Sequence, residues 1–541
     1  MRHNDGRSST GNVVAKTQAG SEVFESLIVV SNRQPYRHEY ADDEGEATPD
    51  GGQARNSAVT TPDRQVTVDR PTGGLTAGLD PVLEDVGGTW IAWGDGDADR
   101  AVTDESGCVP VPPENEAYTL QRVWLPETAT DGYYYGFSNQ VLWPLCHGFV
   151  DLLEFRPAYL EWYREVNGRF ADAVAEHARA DSVVWLQDYH LALAPAMIRE
   201  KVPQSTTVAQ FWHVPWPSAE TFRHCPGGRE LLTGLLGNDM LGFHIDAYRT
   251  AFLDCVERFL PGAVVDRRRG VVSYEGRETQ VVATPMGVDV ATYDERAREA
   301  TGAWSDFCES HDIPPENTIA LGVDRLDYTK GIPERLAALE RFLEYNPHRH
   351  GEFTFVQKAT LSRTEIPAYE RHGEFVRNEV DRINDRFASE DWQPIVYTEE
   401  YLSEETLCAL YNRADLMLVS PLIDGMNLVA QEYVAASVDG DGALLVSEHA
   451  GCHDLLGDFA YSIDPRWREE FAATIEHALT AEDGERRRRM AGLRHRVFEH
   501  DLEWWMDAQF AEIRRVRGAS RTDSSHRTPP ERTSGGPSRS A

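Results

Sequence analysis

"TIALGVDRLDYTKGIPERL", residues 318–336, runs from an apolar segment into a charged turn and then into a helical pattern. It reads as strand, loop and helix, the helix beginning near Ile332 or Pro333, because proline is favoured in a first helical turn. The chain has only four lysines (Lys16, Lys201, Lys330 and Lys358), and one stands in this turn, five residues after Arg325. A helix N-terminus with Arg325 and Lys330 beside it concentrates positive potential suited to a diphosphate. The plainer alternative pairs both cations with Asp324 and Asp327 on the surface.

The same alternation of short apolar run and amphipathic segment recurs outward from this stretch. "SLIVVSN", "SVVWLQD", "TVAQFWH", "FTFVQK", "LMLVSP" and "ALLVSE" have the length and β-branched content of buried parallel strands. Open parallel sheets bind ligands beyond the carboxyl ends of their strands. The residues just past each run are therefore the candidates: Asn32 and Arg33, Asp188 and His190, His213, Arg325 and Lys330, Arg363, Asp424, and Glu448. A length of 541 residues exceeds one ordinary core, and the strand count predicts two such domains. "ETQVVATPMGVDV" closes the first half, leaving a cleft between domains as the natural place for a small ligand.

Composition narrows the class. Asp and Glu number 89 against 53 Lys and Arg, a formal net charge of -36 that repels nucleic acid and anionic membranes. Arginine supplies nearly all the positive charge, as on the solvated surface of a protein from a salt-rich cytoplasm. Seven widely spaced cysteines without a C-x-x-C pair predict a reducing compartment and no zinc ribbon. No run reaches a membrane-span length, and "MRHNDGRSSTGN" lacks the apolar core of a signal peptide, so the expectation is a cytoplasmic protein. Residues 1–22 and 518–541 read as disordered tails, and the Asp, Glu, Gly and Thr rich stretch 37–70 as a long mobile loop.

Further motifs add groups to the cleft. "SPLIDGMNLVAQEYVAA" places Asp424 and Gly425 before a helix, so that the N–H groups of Met426, Asn427 and Leu428 become anion donors. Glu432 lies about two turns on, suited to sugar hydroxyls; an N-cap role for Asp424 and a solvated face for Glu432 are the alternatives. Gly73 and Gly74 in "TGGLTAGL" allow close approach to a phosphate, although alone they mark a turn. Asp188 and His213 end adjacent strands, where a carboxylate and an imidazole can bind hydroxyls or steady developing charge. "DGDADR", residues 95–100, reads as a solvated acidic loop, lacking the spacing of a calcium site. Trp504 and Trp505 read as helix core packing.

In order along the chain, "VVSNR", "TGGL", "YYYGFSNQVLWP", "QDYHL", "FWHVPWP", "DRLDYTKG", "LSRTEIPAY" and "DGMNLVAQEYVA" resemble the motif series of retaining trehalose-6-phosphate synthases. The resemblance implies a GT-B fold, two Rossmann-like α/β domains with parallel sheets facing across a cleft. Its expected divisions are 23–289 for the acceptor domain, 290–490 for the nucleotide-sugar domain, and a helix over 491–517 returning to the first. It implies glucose transfer from UDP-glucose, or another nucleotide-glucose, to glucose 6-phosphate, with retention and without metal or other cofactor. By motif, Arg325 and Lys330 hold the donor diphosphate, Gly73 and Gly74 admit it, and Asp424 with the following amides binds the donor glucose. Glu432 holds the ribose and His213 contacts the donor sugar near the reacting centre. Arg33, Tyr134 and Arg363 match an acceptor phosphate pocket, with Asp188 on acceptor hydroxyls and Trp143 shaping the site.

Three departures stand out: Gln187 where the family has His, Trp216 where it has Phe, and Gln431 where it has Lys, next to Glu432 and so bearing on nucleotide choice. The nearest rival is a sister transferase acting on another phosphorylated acceptor such as glycerol 3-phosphate. A rival of another class is a catalytically silent sugar-phosphate sensor. The oligomeric state stays open, a homo-oligomer included.

Overall fold

Each of the seven apolar runs is a strand in the computed structural model, which describes residues 26–41, 53–60, 64–70, 74–300 and 302–525. The expected tail 1–22, Gly73, and residues 526–541 lie outside the described residues. The first sheet has ten strands, seven of them parallel, in the order Arg277–Ala283, Met240–Phe243, Thr207–Phe211, Val183–Gln187, Leu27–Val30, Thr89–Trp93 and Tyr118–Val123. Antiparallel strands extend both edges: Cys108–Val111 on one, and Val271–Tyr274 with Val264–Asp266 on the other. The second sheet is parallel throughout: Ile395–Thr398, Phe353–Thr360, Thr318–Arg325, Leu416–Val419, Ala443–Ser447 and Tyr461–Ile463. These are the two lobes that the resemblance implies.

Strands buried on both faces explain the unbroken apolar runs. Ile28, Val30, Val184 and Leu186 join one core with helix Pro157–His177. Leu27, Val29, Val183 and Trp185 join another, on the opposite face, with Trp505, Phe510 and Ile513 of helix Leu502–Ser525. In the second lobe, Ile319, Leu321 and Met417 face one core and Ala320, Leu416 and Leu418 the other. Register then lines up the strand ends. Val30 pairs with Leu186, so the residues just beyond them emerge at one level of the sheet.

The chain crosses between lobes twice, and the crossings touch. Leu502 N–H donates to the Val288 carbonyl at 3.1 Å. A Cβ added at Gly287 would lie 2.1 Å from the His500 carbonyl oxygen, so only glycine fits there.

Three expectations need correction. Residues 37–70 are not one long loop: strands Arg37–Tyr40, Gln53–Thr60 and Gln65–Arg70 form a small antiparallel sheet. The polar composition hides the alternation of "QVTVDR", which buries Val66 and Val68. Helix Asp483–Glu499 packs on the second lobe through Met490, Leu493 and Val497, so the return begins after it and not at 491. The returning helix Leu502–Ser525 also runs past 518, where the tail was expected to begin.

Of the tryptophan pair, Trp505 is fully buried against Trp185 and Phe211, whereas Trp504 is 37% exposed. Trp505→Ala is expected to cost about 3–5 kcal/mol, through lost burial and the cavity left behind. Chemical denaturation measures it; a loss under about 1 kcal/mol would show that the helix adds little to the first lobe.

Candidate active site

The acceptor-side residues rise from the first sheet. After strand Leu27–Val30 the chain is stitched down: Ser31 N–H donates to the Ile91 carbonyl, Trp93 N–H to that of Asn32, and Tyr133 Oη to Asn32 Oδ1. Arg33 is exposed between buried Asn32 and Gln34. Burial would raise the Tyr134 phenol, but the Arg33 and Arg363 guanidinium groups, with a hydrogen bond from Arg33, leave it below its ordinary pKa. Asp188 follows the next strand at φ 69° and ψ 178°, backbone nearly reserved for glycine. Its Oδ1 accepts from the His213 N–H at 3.2 Å, yet burial pushes the carboxyl up to about 6. His213 is kept neutral by burial, and its Nε2 lies 3.0 Å from Gln187 Oε1.

The second lobe brings the cations. Lys330 sits in the short turn Tyr328–Lys330, followed by Gly331 at φ 64° and helix Ile332–Tyr345. Its Nζ lies 2.6 Å from Asp424 Oδ2, which also accepts from Asn427 Nδ2 at 3.0 Å. Burial alone would raise the Asp424 carboxyl; Lys330 and Asn427 bring it below the usual range. Of the surface pairing considered for this turn, only Arg325 with Asp327 forms, and Asp327 is buried; Lys330 pairs elsewhere. Asp324 pairs with buried Arg335 at 2.6 Å, and fully buried Asp327 lies under Arg325 at 3.8 Å and Arg363 at 3.6 Å. The helix after "DGMN" spans Leu428–Ala436, with Asn427, not Asp424, as its cap.

The lobes meet over these groups. Arg363, at φ 53°, stacks its guanidinium 3.9 Å from the Trp143 ring centroid and donates to Tyr369 Oη at 2.6 Å and, across the cleft, to Tyr189 Oη at 3.2 Å. Tyr248 Oη donates to the Asp424 carbonyl at 2.8 Å. A Cβ at Gly425 would lie 2.1 Å from the His213 carbonyl oxygen, so glycine alone permits this approach. A cavity of about 1160 Å³ is lined from both lobes, by Asn32, Arg33, Trp93 and Tyr134 on one side and Ser362 and Arg363 on the other. Four buried donors, Asn32 Nδ2, Trp143 Nε1, Gln187 Nε2 and Arg363 Nε, have no protein partner. Such donors are what a polar, anionic ligand satisfies.

A cleft where Arg33, Arg325, Lys330 and Arg363 stand with paired carboxylates can hold two anionic substrates and steady charge leaving one of them. The glycosyltransferase family 20 model matches residues 28–515. The chain belongs to glycosyltransferase family 20. This family-20 chain is 37% identical over 454 residues to a trehalose-6-phosphate synthase of Mycolicibacterium gilvum, covering 83% of this chain and 89% of that one. Its fold matches the crystal structure of a UDP-forming α,α-trehalose-phosphate synthase from Burkholderia vietnamiensis, at TM-score 0.79 and 31% identity, over 92% and 98% of the two chains. It also matches a Burkholderia xenovorans enzyme solved with glucose 6-phosphate, at TM-score 0.76 and 29% identity, over 90% and 100%.

Within this family-20 fold, Arg33, Tyr134, Trp143, Asp188 and Arg363 converge, as do Arg325, Lys330, Asp424, Gly425, Met426 and Asn427. Gly74 opens helix Gly74–Val86, and Leu428 opens the helix after Asn427. Glu432 is half-buried and accepts from Tyr411 Oη at 3.0 Å, so a freely solvated face is excluded. Among the departures, Gln187 touches His213. Trp216 is buried among Phe222, Phe243 and Phe252, and Gln431 donates to the Met286 carbonyl at the lobe crossing. Sequence reasoning missed Arg335, Tyr189, Tyr369 and Trp93, and weighed Asp327 only as a surface partner of the cations. Asp327 stood inside a quoted motif, but nothing in one dimension marks which aspartate is buried.

The raised Asp188 carboxyl carries a signed consequence. Its folded pKa lies above the unfolded range, so the ionised form costs stability above about pH 6, and that cost fades as pH falls toward about 4. Asp188→Asn is expected to raise the thermal midpoint at about pH 8 and to lose this gain at about pH 4.5. Equal shifts at both pH values would contradict the assignment.

Proposed function

We propose that this chain is a trehalose-6-phosphate synthase, transferring glucose from UDP-glucose to glucose 6-phosphate with retention and releasing UDP. The observation that carries this reading is the meeting of Arg33 and Arg363, from opposite lobes, at one cavity, with Arg363 3.6 Å from Asp327, the cap of the turn that carries Lys330. Two planar guanidinium groups suit the acceptor phosphate, which they can grip bidentately. Tyr134 and Trp143 complete that pocket, and Asp188 takes acceptor hydroxyls.

On the donor side, Arg325 and Lys330 hold the diphosphate, which Gly73 and Gly74 admit from the facing lobe. Asp424, with the amides of Gly425, Met426, Asn427 and Leu428, takes the glucose, His213 abuts the reacting centre, and Glu432 takes the ribose. Asp424 accepts from Lys330 and Asn427 and Asp188 from the His213 N–H, and in this reading neither is a covalent nucleophile. The acceptor hydroxyl attacks from the face that the diphosphate leaves, and the departing phosphate oxygen takes its proton. The enzyme contributes placement and electrostatics, with Arg325 and Lys330 compensating charge on the leaving group. A cytoplasmic location fits seven cysteines that form no disulfide.

The deciding assay offers UDP-glucose with either glucose 6-phosphate or glycerol 3-phosphate in molar potassium chloride, with NMR following the product. An α,α-1,1-linked disaccharide phosphate is expected. Product with glycerol 3-phosphate alone would move the chain to another acceptor, and ligand binding without turnover would make it a sensor. Lys330→Ala is expected to cut kcat by roughly a hundredfold or more, with the fold intact by circular dichroism. Arg363→Ala is expected to raise the acceptor KM by roughly ten- to a hundredfold, leaving the donor KM nearly unchanged. A change confined to the donor KM would put Arg363 on the wrong substrate.

A further inference from the structure

The turn "DGDADR" is solvated at Asp95, Asp97 and Arg100, as expected, but its Asp99 is the centre of a buried ionic network. Asp99 and Arg122 have no side-chain exposure and lie 2.9 Å apart. The Asp99 carboxylate also accepts from the backbone N–H groups of Gly96 at 2.8 Å and His38 at 2.9 Å, and from Gln34 Nε2 at 2.6 Å. Gln34 Nε2 reaches Asp95 Oδ1 at 2.7 Å as well, while its Oε1 accepts from Arg122 Nε at 2.9 Å. Arg122 spends its remaining donors on the carbonyls of Asp99 and Tyr36, both at 3.1 Å, and lies 2.7 Å from His38 Nδ1. Burial alone would raise the Asp99 carboxyl, but His38, Arg122 and Gln34 hold it below its ordinary range, so the pair is ionised.

A buried ion pair gains little net stability, because desolvation offsets most of the attraction; where such a pair is kept, what it can supply is a single conformation. Here the conformation specified is the path of residues 34–38. On the other side, Ser31 and Asn32 are fixed to the sheet by the bonds described above. Between these anchors stands Arg33, the one exposed residue from Ser31 to Tyr36. Its backbone has no slack in either direction, and Asn32, Gln34 and Asp95 line the same cavity as Arg33 itself.

We propose that Gln34, Asp99 and Arg122 are positioning residues that aim Arg33 at the phosphate of the acceptor. This rests on the reading of Arg33 as an acceptor-phosphate ligand. It gives Asp99 and Arg122, which do not line the cavity, a role in acceptor affinity. Loosening the network leaves the Lys330–Asp424 side untouched, so acceptor binding should suffer alone.

The test is steady-state kinetics on the full chain, with UDP-glucose and glucose 6-phosphate varied in turn, for Gln34→Leu, Asp99→Asn and Arg33→Ala. Inorganic phosphate serves as a competitor of the acceptor, and thermal unfolding is followed in parallel. Gln34→Leu leaves the Asp99–Arg122 pair in place and guards against a folding failure of Asp99→Asn. The expected result for both network variants is an acceptor KM raised roughly tenfold, with weaker inhibition by phosphate and with kcat and donor KM within about twofold of the parent. An unchanged acceptor KM in Gln34→Leu, or constants that fall together with the unfolding midpoint, overturns the positioning role. Arg33→Ala separates the two levels. If it leaves the acceptor KM unchanged, the reading of Arg33 itself fails; if it raises that KM while Gln34→Leu does not, only the positioning proposal fails.

Discussion

The ion pair between Lys330 Nζ and Asp424 Oδ2, at 2.6 Å, ties together the turns that follow two neighbouring strands of the second sheet. Much else in that lobe is arranged to let it exist. Gly331, left-handed, ends the turn that carries Lys330, and Asn427, also left-handed, caps the next helix while donating to the same Asp424 oxygen. Charges out of water persist only when paired, and removing one partner strands the other. The turn geometry and the pair therefore support each other.

The chain as a whole repels the kind of ligand its cleft is built to hold. Its net charge is -36, yet Arg33, Arg325, Lys330 and Arg363 gather where the lobes meet, with Asp327 buried beneath two of them. Screening settles which field a bound anion feels. The Debye length is about 8 Å at physiological ionic strength and about 3 Å in molar salt, so the distant acidic surface is damped while contacts of a few ångströms survive. A strongly acidic exterior and an anion-binding interior are thus compatible, more so as salt rises.

What was legible in the sequence was the frame. Apolar runs gave all seven strands because buried parallel strands need unbroken hydrophobicity, and the strand-end rule then led to Arg33, Asp188, His213, Arg325 and Arg363 without any view of packing. What stayed hidden was burial of charge. Asp99, Arg122, Asp324, Asp327 and Arg335 are all inside, yet in one dimension each looks like an ordinary surface residue of an acidic chain. The small sheet over 37–70 was masked by its polar composition, and the cap at Asn427 by a more conspicuous aspartate three residues earlier. Local propensity marks where a turn is; only tertiary contact tells which side chain inside it is paired.

The two chain crossings between the lobes lie against each other where Gly287 passes the His500 carbonyl and Leu502 N–H meets the Val288 carbonyl, so the lobes are joined through one strip of packed backbone and not at two separate points. Gln431, anchored to the Met286 carbonyl, adds a side-chain tie to that strip.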